Sequence, residues 1–267
     1  MQALDSLMDV ANRYDAIVLD QWGVLHDGTS PYPGAVEAVR DLRSAGKHLA
    51  VLSNSGKRAA PNADRITAMG FPADAFETLM TSGEALWQDI AAGRVPHRRF
   101  HPITREEGDA ERWAEGLPIT LTTADPDAVL LMGLPDAGAD PTLPNLPVYC
   151  TNPDRASPRA GGVTVVSPGA IAHAHMSNGG DVTFYGKPYE PVFRAVEHAL
   201  GTFNLLMVGD SLEHDIAGGH AAGWSTAFIR GGLHASAFSD DPPDARIHAL
   251  AAAESAPLPT YHLAQLG

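Results

Sequence analysis

Two carboxylates, Asp210 and Asp215, stand just past a short apolar run in the segment LLMVGDSLEHDIAGG, Leu205 to Gly219. The continuous stretch from Phe203 to Val208, closed by Gly209, reads as an interior parallel strand. Side chains at the carboxyl end of such a strand face the crevice in which open α/β sheets bind ligands. Two acids there repel each other, and a hard divalent cation such as Mg²⁺ relieves the repulsion. The same residues also suit a helix start, with Asp210 or Ser211 as cap and Glu213 and Asp215 complementing the dipole of the first turn. The choice falls to the rest of the chain.

Three further strand ends carry reactive types. Ala16 to Leu19 is apolar and ends in Asp20, before the turn-rich segment Gln21 to Gly34. His48 to Leu52 ends in Ser53, Asn54, Ser55 and Gly56, where a hydroxyl, an amide and backbone N–H groups ahead of a helix could cradle an oxyanion. Val182 to Tyr185 runs into Gly186, Lys187 and Pro188 before a helical pattern from Glu190 to Leu200. Singly, Ser53 and Asn54 fit ordinary turn and cap chemistry, and Lys187 a solvated surface charge. Asp, Ser, Lys and an Asp pair at four successive strand ends make a chance origin much less plausible.

The ordered set IVLDQWGVLHDG, AVLSNSG, YGKP and VGDSLEHD resembles the four motifs of the haloacid dehalogenase superfamily, and within it the NagD-like class IIA phosphatases. GVLHDG at Gly23 to Gly28, TNPD at Thr151 to Asp154, and the long insertion between the second and third motifs are similar to that class as well. The resemblance implies a Rossmann-like, doubly wound parallel-sheet α/β core carrying an inserted α/β cap of the C2 type. It implies Asp20 as a nucleophile that takes up a phosphoryl group. Mg²⁺ would be held by Asp20, the backbone carbonyl of Trp22 and Asp210, with Asp215 in support. Ser53 and Asn54 would hold the phosphoryl oxygens, and Lys187 would offset the crowded negative charge. The physics agrees with these roles: an anionic nucleophile meets an anionic phosphate only if cations stand between them, and phosphoryl transfer asks mainly for positioning and charge stabilisation.

One position departs from the family. Most of its phosphatases carry a second Asp two residues after the nucleophile, as acid to the leaving group and then base to the attacking water; here Trp22 stands there, with an indole N–H and no useful pKa. Losing a general acid-base group costs about 10²- to 10⁴-fold in rate. Three readings follow. Ester hydrolysis could persist through another group or a leaving group that needs little protonation, with His26, beside Asp27 on the flap, as a proton shuttle. The site could instead bind a phosphorylated ligand without turnover, as a sensor. A metal-free dehalogenase, whose branch also has an aromatic residue at this position, leaves the acidic pair unexplained.

Composition bounds the rest. A formal net charge of -14 argues against nucleic-acid backbones and anionic membranes as partners, without barring a local phosphate site. Cys150 is the single cysteine, so no intrachain disulfide forms, and a cytoplasmic location is expected. It lies in the apolar run Val148 to Cys150 and suits a buried structural place. No apolar stretch approaches membrane-spanning length.

The elements that must position these residues alternate as helix and strand. Helices are expected at Ala3 to Asn12, Ala35 to Ala45 and Pro61 to Met69, with strands ending at Asp20 and Leu52, the signature of parallel βαβ units. Beyond Gly83 come helices at Glu84 to Ala92 and Glu106 to Glu115. Strand-like runs follow at Ile119 to Thr122, Ala128 to Met132, Pro147 to Thr151 and Val163 to Val166, and a loop at Pro135 to Pro147. The expected division is 1–82 and 181–267 for the core, where Val182 to Tyr185 resumes the sheet, and 83–180 for the cap. Substrate choice then belongs to the cap, with Asn152, Asp154 and Arg155 as its candidates. His173 and His175 point to different faces of a helix and make a poor metal pair, and His97 to Arg99 reads as a solvated face. The partner expected is a small phosphorylated metabolite; relatives of this class often pair through their caps, so a homodimer belongs to the resemblance and not to these residues.

Overall fold

Buried apolar runs and amphipathic segments build two separate units in the computed structural model, which describes residues 1–135, 142–158, 164–238 and 242–267. The first unit comprises Met1–Ser53, Asn62–Met80 and Phe193–Gly267, and the second Asn54–Pro61 and Thr81–Val192.

The strands are, along the chain, β1 (Gln2–Ala3), β2 (Ala16–Asp20), β3 (His48–Ser53), β4 (Thr78–Thr81), β5 (Arg99–Ile103), β6 (Thr120–Leu121), β7 (Ala128–Leu131), β8 (Val148–Cys150), β9 (Ala156–Pro158), β10 (Thr164–Val166), β11 (Val182–Phe184), β12 (Leu205–Gly209), β13 (Ser225–Ile229) and β14 (Tyr261–Leu263). The helices are α1 (Ala35–Ser44), α2 (Ala59–Ala68), α3 (Ser82–Ala91), α4 (Asp109–Ala114), α5 (Pro168–Ser177), α6 (Glu190–Leu200), α7 (Ala217–Ala221) and α8 (Pro243–Glu254).

The first unit holds a seven-stranded sheet in the order β1-β14-β13-β12-β2-β3-β4. Strand β2 is interior, parallel to β12 on one side and β3 on the other, with Val18 opposite both Met207 and Ala50. Every residue of β2 and β12 is buried, as expected for parallel strands covered on both faces. Alternation assigns the faces: Ile17, Leu19, Val51, Val208 and Ile229 share a cluster with Val39 and Leu42 of α1, while Phe228, between Ala227 and Ile229, packs with Ile247 and Ala251 of α8. Each such side chain, fully buried, contributes about 1.5–3 kcal/mol. Helices on both faces make this a doubly wound, Rossmann-like sheet.

The second unit has its own five-stranded sheet, β11-β8-β7-β5-β6, and a β9–β10 antiparallel ribbon. Its core gathers Ile103, Val129, Leu131, Val148, Cys150, Ala172 and Phe184.

Several expectations change. Val182 to Tyr185 does not resume the first sheet; β11 lies parallel to β8, with Val182 opposite Val148, because β8 offers an open edge whose backbone groups need partners and Phe184 finds its core there. The second unit is accordingly wider than 83–180, taking in Asn54–Pro61 and the chain to Val192. Ala3 to Asn12 is not one helix: after β1 come two short 3₁₀ turns, Leu7–Asp9 and Ala11–Arg13, the first started by a reciprocal Ser6–Asp9 capping box. Phe203 is 76% exposed and precedes β12 rather than opening it. Arg99 begins β5 and stays exposed, in keeping with the solvated face expected there, while β4, β14 and α8 carry weak signals in the sequence. The loop expected over 135–147 lies partly outside the described residues, as does Val163. Among the described residues no helix is long and apolar enough to cross a membrane.

Candidate active site

The first unit brings the acidic motifs together through strand order alone. With β2 between β12 and β3, Asp20 ends β2, Asp210 follows the end of β12, and Ser53 ends β3, one residue past Leu52, which lies opposite Asp20. Asp215 sits on a π-helical turn, Leu212–Ile216, started by Ser211, whose hydroxyl accepts from the His214 N–H at 3.2 Å. A carboxylate oxygen from each of Asp20, Asp210 and Asp215 lies within 4.8 Å of the others. The three are 8%, 6% and 1% exposed.

Three like charges gathered under so little water repel strongly and need a compensating cation. All the donors are hard oxygens, the set that Mg²⁺ or Ca²⁺ takes. The surrounding backbone holds them in place. Leu233 N–H donates to Asp210 Oδ2 at 2.7 Å, and Ser211 N–H to Asp215 Oδ2 at 3.1 Å. Three glycines make room: a Cβ on Gly23 would lie 1.6 Å from Asp210 Oδ2, one on Gly232 2.3 Å from the same atom, and one on Gly209 2.0 Å from Asp215 Cγ. The Gly232–Leu233 contribution was missed in the sequence, although the paired glycines that follow β13 were a signal for it.

The loop after β2 has another character. Gln21 and His26 are both fully buried, and Leu25 and His26 N–H groups donate to Gln21 O at 2.9 and 3.1 Å. His26 Nδ1 accepts from Gly28 N–H at 3.0 Å, and its ring meets the Trp22 indole edge-on at 5.6 Å. Gly28 packs so closely on the indole that a Cβ there would fall 2.0 Å from Trp22. Burial, aided by the Arg65 charge, pulls His26 down to about 4. These features weigh against His26 as the expected proton shuttle: its Nδ1 is engaged and its side chain is fully buried. Asp27 Oδ1 accepts Ser30 and Thr29 N–H, both at 2.8 Å, and these bonds hold its pKa below the ordinary carboxylate value. Tyr32 packs on the core, and burial, with the charges of Asp210 and Asp27, raises its phenol pKa.

The second unit gathers the other motif residues. Lys187 is 3% exposed and follows β11. Its backbone N–H donates to Asn54 Oδ1 at 2.7 Å, while Asn54 Nδ2 donates to Lys187 O at 3.1 Å and to Asp154 Oδ1 at 2.7 Å. Asn54 thus clasps the YGKP and TNPD loops with its whole side-chain amide, a use that sequence reading missed. Asp154 N–H in turn donates to Asn152 Oδ1 at 3.0 Å, and Arg155 is exposed. Burial pushes the Cys150 thiol up to about 12, which suits a structural residue. His173 stacks on Phe184 at 4.5 Å. Among the described residues, Asp20, Asp210 and Asp215 form the one cluster of acids, histidines or cysteines with metal-binding spacing.

Comparison with known proteins agrees with this geometry. Residues 17–114 match the model of the haloacid dehalogenase-like hydrolases, and residues 184–253 that of a family described as HAD-hydrolase-like. Chronophin of Bos taurus is 29% identical over 257 residues, covering 85% of each chain. D-glycerol 3-phosphate phosphatase of Mycobacterium tuberculosis is 26% identical over 239 residues, 86% of this chain and 67% of that one. A solved haloacid dehalogenase-like hydrolase from Brucella suis superposes with a TM-score of 0.78 at 27% identity, over 99% of this chain and 100% of its own.

Proposed function

Because this chain belongs to the haloacid dehalogenase-like superfamily, in its class IIA phosphatase branch, we propose that it is a Mg²⁺-dependent phosphatase of small phosphorylated metabolites, working through an aspartyl-phosphate on Asp20. The observation that carries the reading is the buried convergence of Asp20, Asp210 and Asp215. Mg²⁺ would be held by Asp20, the Trp22 carbonyl and Asp210, with Asp215 in support, and would supply the charge neutralisation that lets a carboxylate approach a phosphate.

Asp20 attacks phosphorus, and the leaving oxygen departs; water then attacks the aspartyl-phosphate and regenerates the carboxylate. The Ser53 hydroxyl and the Asn54 backbone N–H donate to the phosphoryl oxygens; the Asn54 amide is already committed to its clasp. Lys187 enters on the motif order, its ammonium offsetting the same negative charge. Leu233 N–H and Ser211 N–H keep Asp210 and Asp215 aimed without reorganisation. Turnover is attenuated because Trp22 replaces the acid, by about 10²- to 10⁴-fold. The second unit serves as the cap, with Asn152, Asp154 and Arg155 contributing to substrate choice and a cap-to-cap homodimer as the assembly. The single buried thiol, Cys150, suits the reducing cytoplasm.

A specific observation favours one rival, a phospho-ligand sensor: Trp22 lacks an acid and buried His26 does not replace it. Phosphate release from 4-nitrophenyl phosphate separates the two. Wild type with Mg²⁺ should release phosphate, and Asp20→Asn or added EDTA should abolish it. Silence from wild type on this ester and on a broad metabolite panel would leave the sensor.

A further inference from the structure

Resting on the phosphatase reading, we propose that the enzyme is selective for phosphoryl groups carried on a leaving oxygen of low basicity, as in aryl, enol and acyl phosphates or phosphoanhydrides, and discriminates against esters of simple alcohols.

The loop after β2 is where a phosphatase of this kind keeps its proton donor. Trp22 stands two residues past Asp20, on the loop that leaves β2, where its backbone bridges to His26. Its indole is fastened there: Gly28 touches one part of the ring so closely that any side chain at 28 would collide, and His26 meets it edge-on at 5.6 Å. The position is filled by a half-buried apolar ring that carries no titratable proton. The remaining titratable side chains of residues 21–34 are spent elsewhere. His26 is fully buried with Nδ1 bonded to Gly28 N–H. Asp27 is exposed, and its Oδ1 caps the turn at Thr29 and Ser30. Tyr32 packs its ring on the core. On the turn after Asp210, His214 Nδ1 pairs with Ser211 Oγ at 3.0 Å. Asp210 and Asp215 are held in place by main-chain donors, while the position that would carry the acid holds an indole.

The chemistry follows. The Asp20 Oδ–P bond forms as the bond from phosphorus to the leaving oxygen breaks, and that oxygen carries the electron pair away. Without a donor it leaves as an anion and takes its proton from bulk water. An alkoxide is a poor anion to expel, whereas a phenolate, enolate, carboxylate or phosphate needs no help. The second step expels the Asp20 carboxylate, itself a weak base, so water attack requires no acid; the proton of that water passes to solvent.

The test is kcat/KM for the full-length wild-type protein with Mg²⁺ across 4-nitrophenyl, phenyl and glycerol phosphates, with acetyl phosphate as the acyl member. From 4-nitrophenyl to glycerol phosphate the value should fall by about 10²- to 10⁴-fold, the contribution that a positioned acid would otherwise make. A fall of less than about a hundredfold would overturn the proposal, because a donor must then be acting. Trp22→Asp, once circular dichroism shows it folded, should raise the glycerol phosphate rate and narrow the gap; a folded variant with the gap unchanged counts against the proposal. Release of phosphate from none of the four compounds would sink the phosphatase reading itself, an outcome distinct from a shallow slope.

Discussion

The loops after β12 and after β2 leave the ends of neighbouring parallel strands, and each begins from a carboxylate, yet they are built on opposite principles. Around Asp210 and Asp215 the chain supplies backbone N–H donors and glycines that let main chain press against the carboxylates. Around Trp22 it supplies an indole, a closely packed glycine and a buried histidine. One loop gathers carboxylates under main-chain donors, and the other packs an indole against a buried imidazole. Under the proposed phosphatase reading, electrostatic stabilisation and acid–base catalysis would be separable features of one site, the first standing without the second.

Gly23 joins the two loops and offers the strongest way to break the contrast. It lies in the β2 loop, has φ +81°, and leaves the space that Asp210 fills. Gly23→Ala should cut phosphate release by about 10²- to 10³-fold by displacing Asp210, with KM for Mg²⁺ rising as well. A variant with wild-type rate and metal dependence would mean that the close packing has no bearing on the acids.

The β2 loop is probed by acid. His26 has an ordinary value of 6.5 and sits near 4 in the folded protein. Between those values the unfolded chain binds a proton that the folded chain refuses, so stability rises with pH across this window and its penalty is gone above 6.5. Falling from pH 6.5 to 4, wild type should lose about 3 kcal/mol on this account, and His26→Leu should lose that much less, read from denaturant midpoints at each pH. Parallel pH profiles for the two proteins would show that His26 is not held neutral.

The smallest effect belongs to the second unit. Asn54→Ala removes the acceptor of the Lys187 N–H and a donor to the Asp154 carboxylate, and should destabilise that unit by about 1–3 kcal/mol. Fluorescence of Trp87 and Trp113, both in the second unit, reports it on denaturation. No change there would mean that the clasp does not hold the Lys187 loop.

Much of the site was legible because strand ends advertise themselves. Buried parallel strands need continuous apolar runs, so Ala16 to Leu19, His48 to Leu52 and Leu205 to Val208 stand out, and the carboxylates that close two of them, Asp20 and Asp210, converge in the fold. Strands β5 and β14 were missed for the converse reason: RFHPI and YHL mix polar residues with Pro and leave no apolar run. The role of Asn54 was hidden because a side chain that bridges residues more than a hundred positions away carries no local pattern.

The amino-acid sequence alone determined the order of the four motifs, the α/β alternation, and the absence of an acid two places after Asp20, since all of these are properties of neighbours along the chain. Only the tertiary structure decided that β11 joins the second sheet, that His26 is sealed from solvent, and that three carboxylates from distant segments crowd within 4.8 Å. Those outcomes depend on which sheet edge is open and which surfaces are covered, and both are set by packing between segments far apart in the chain.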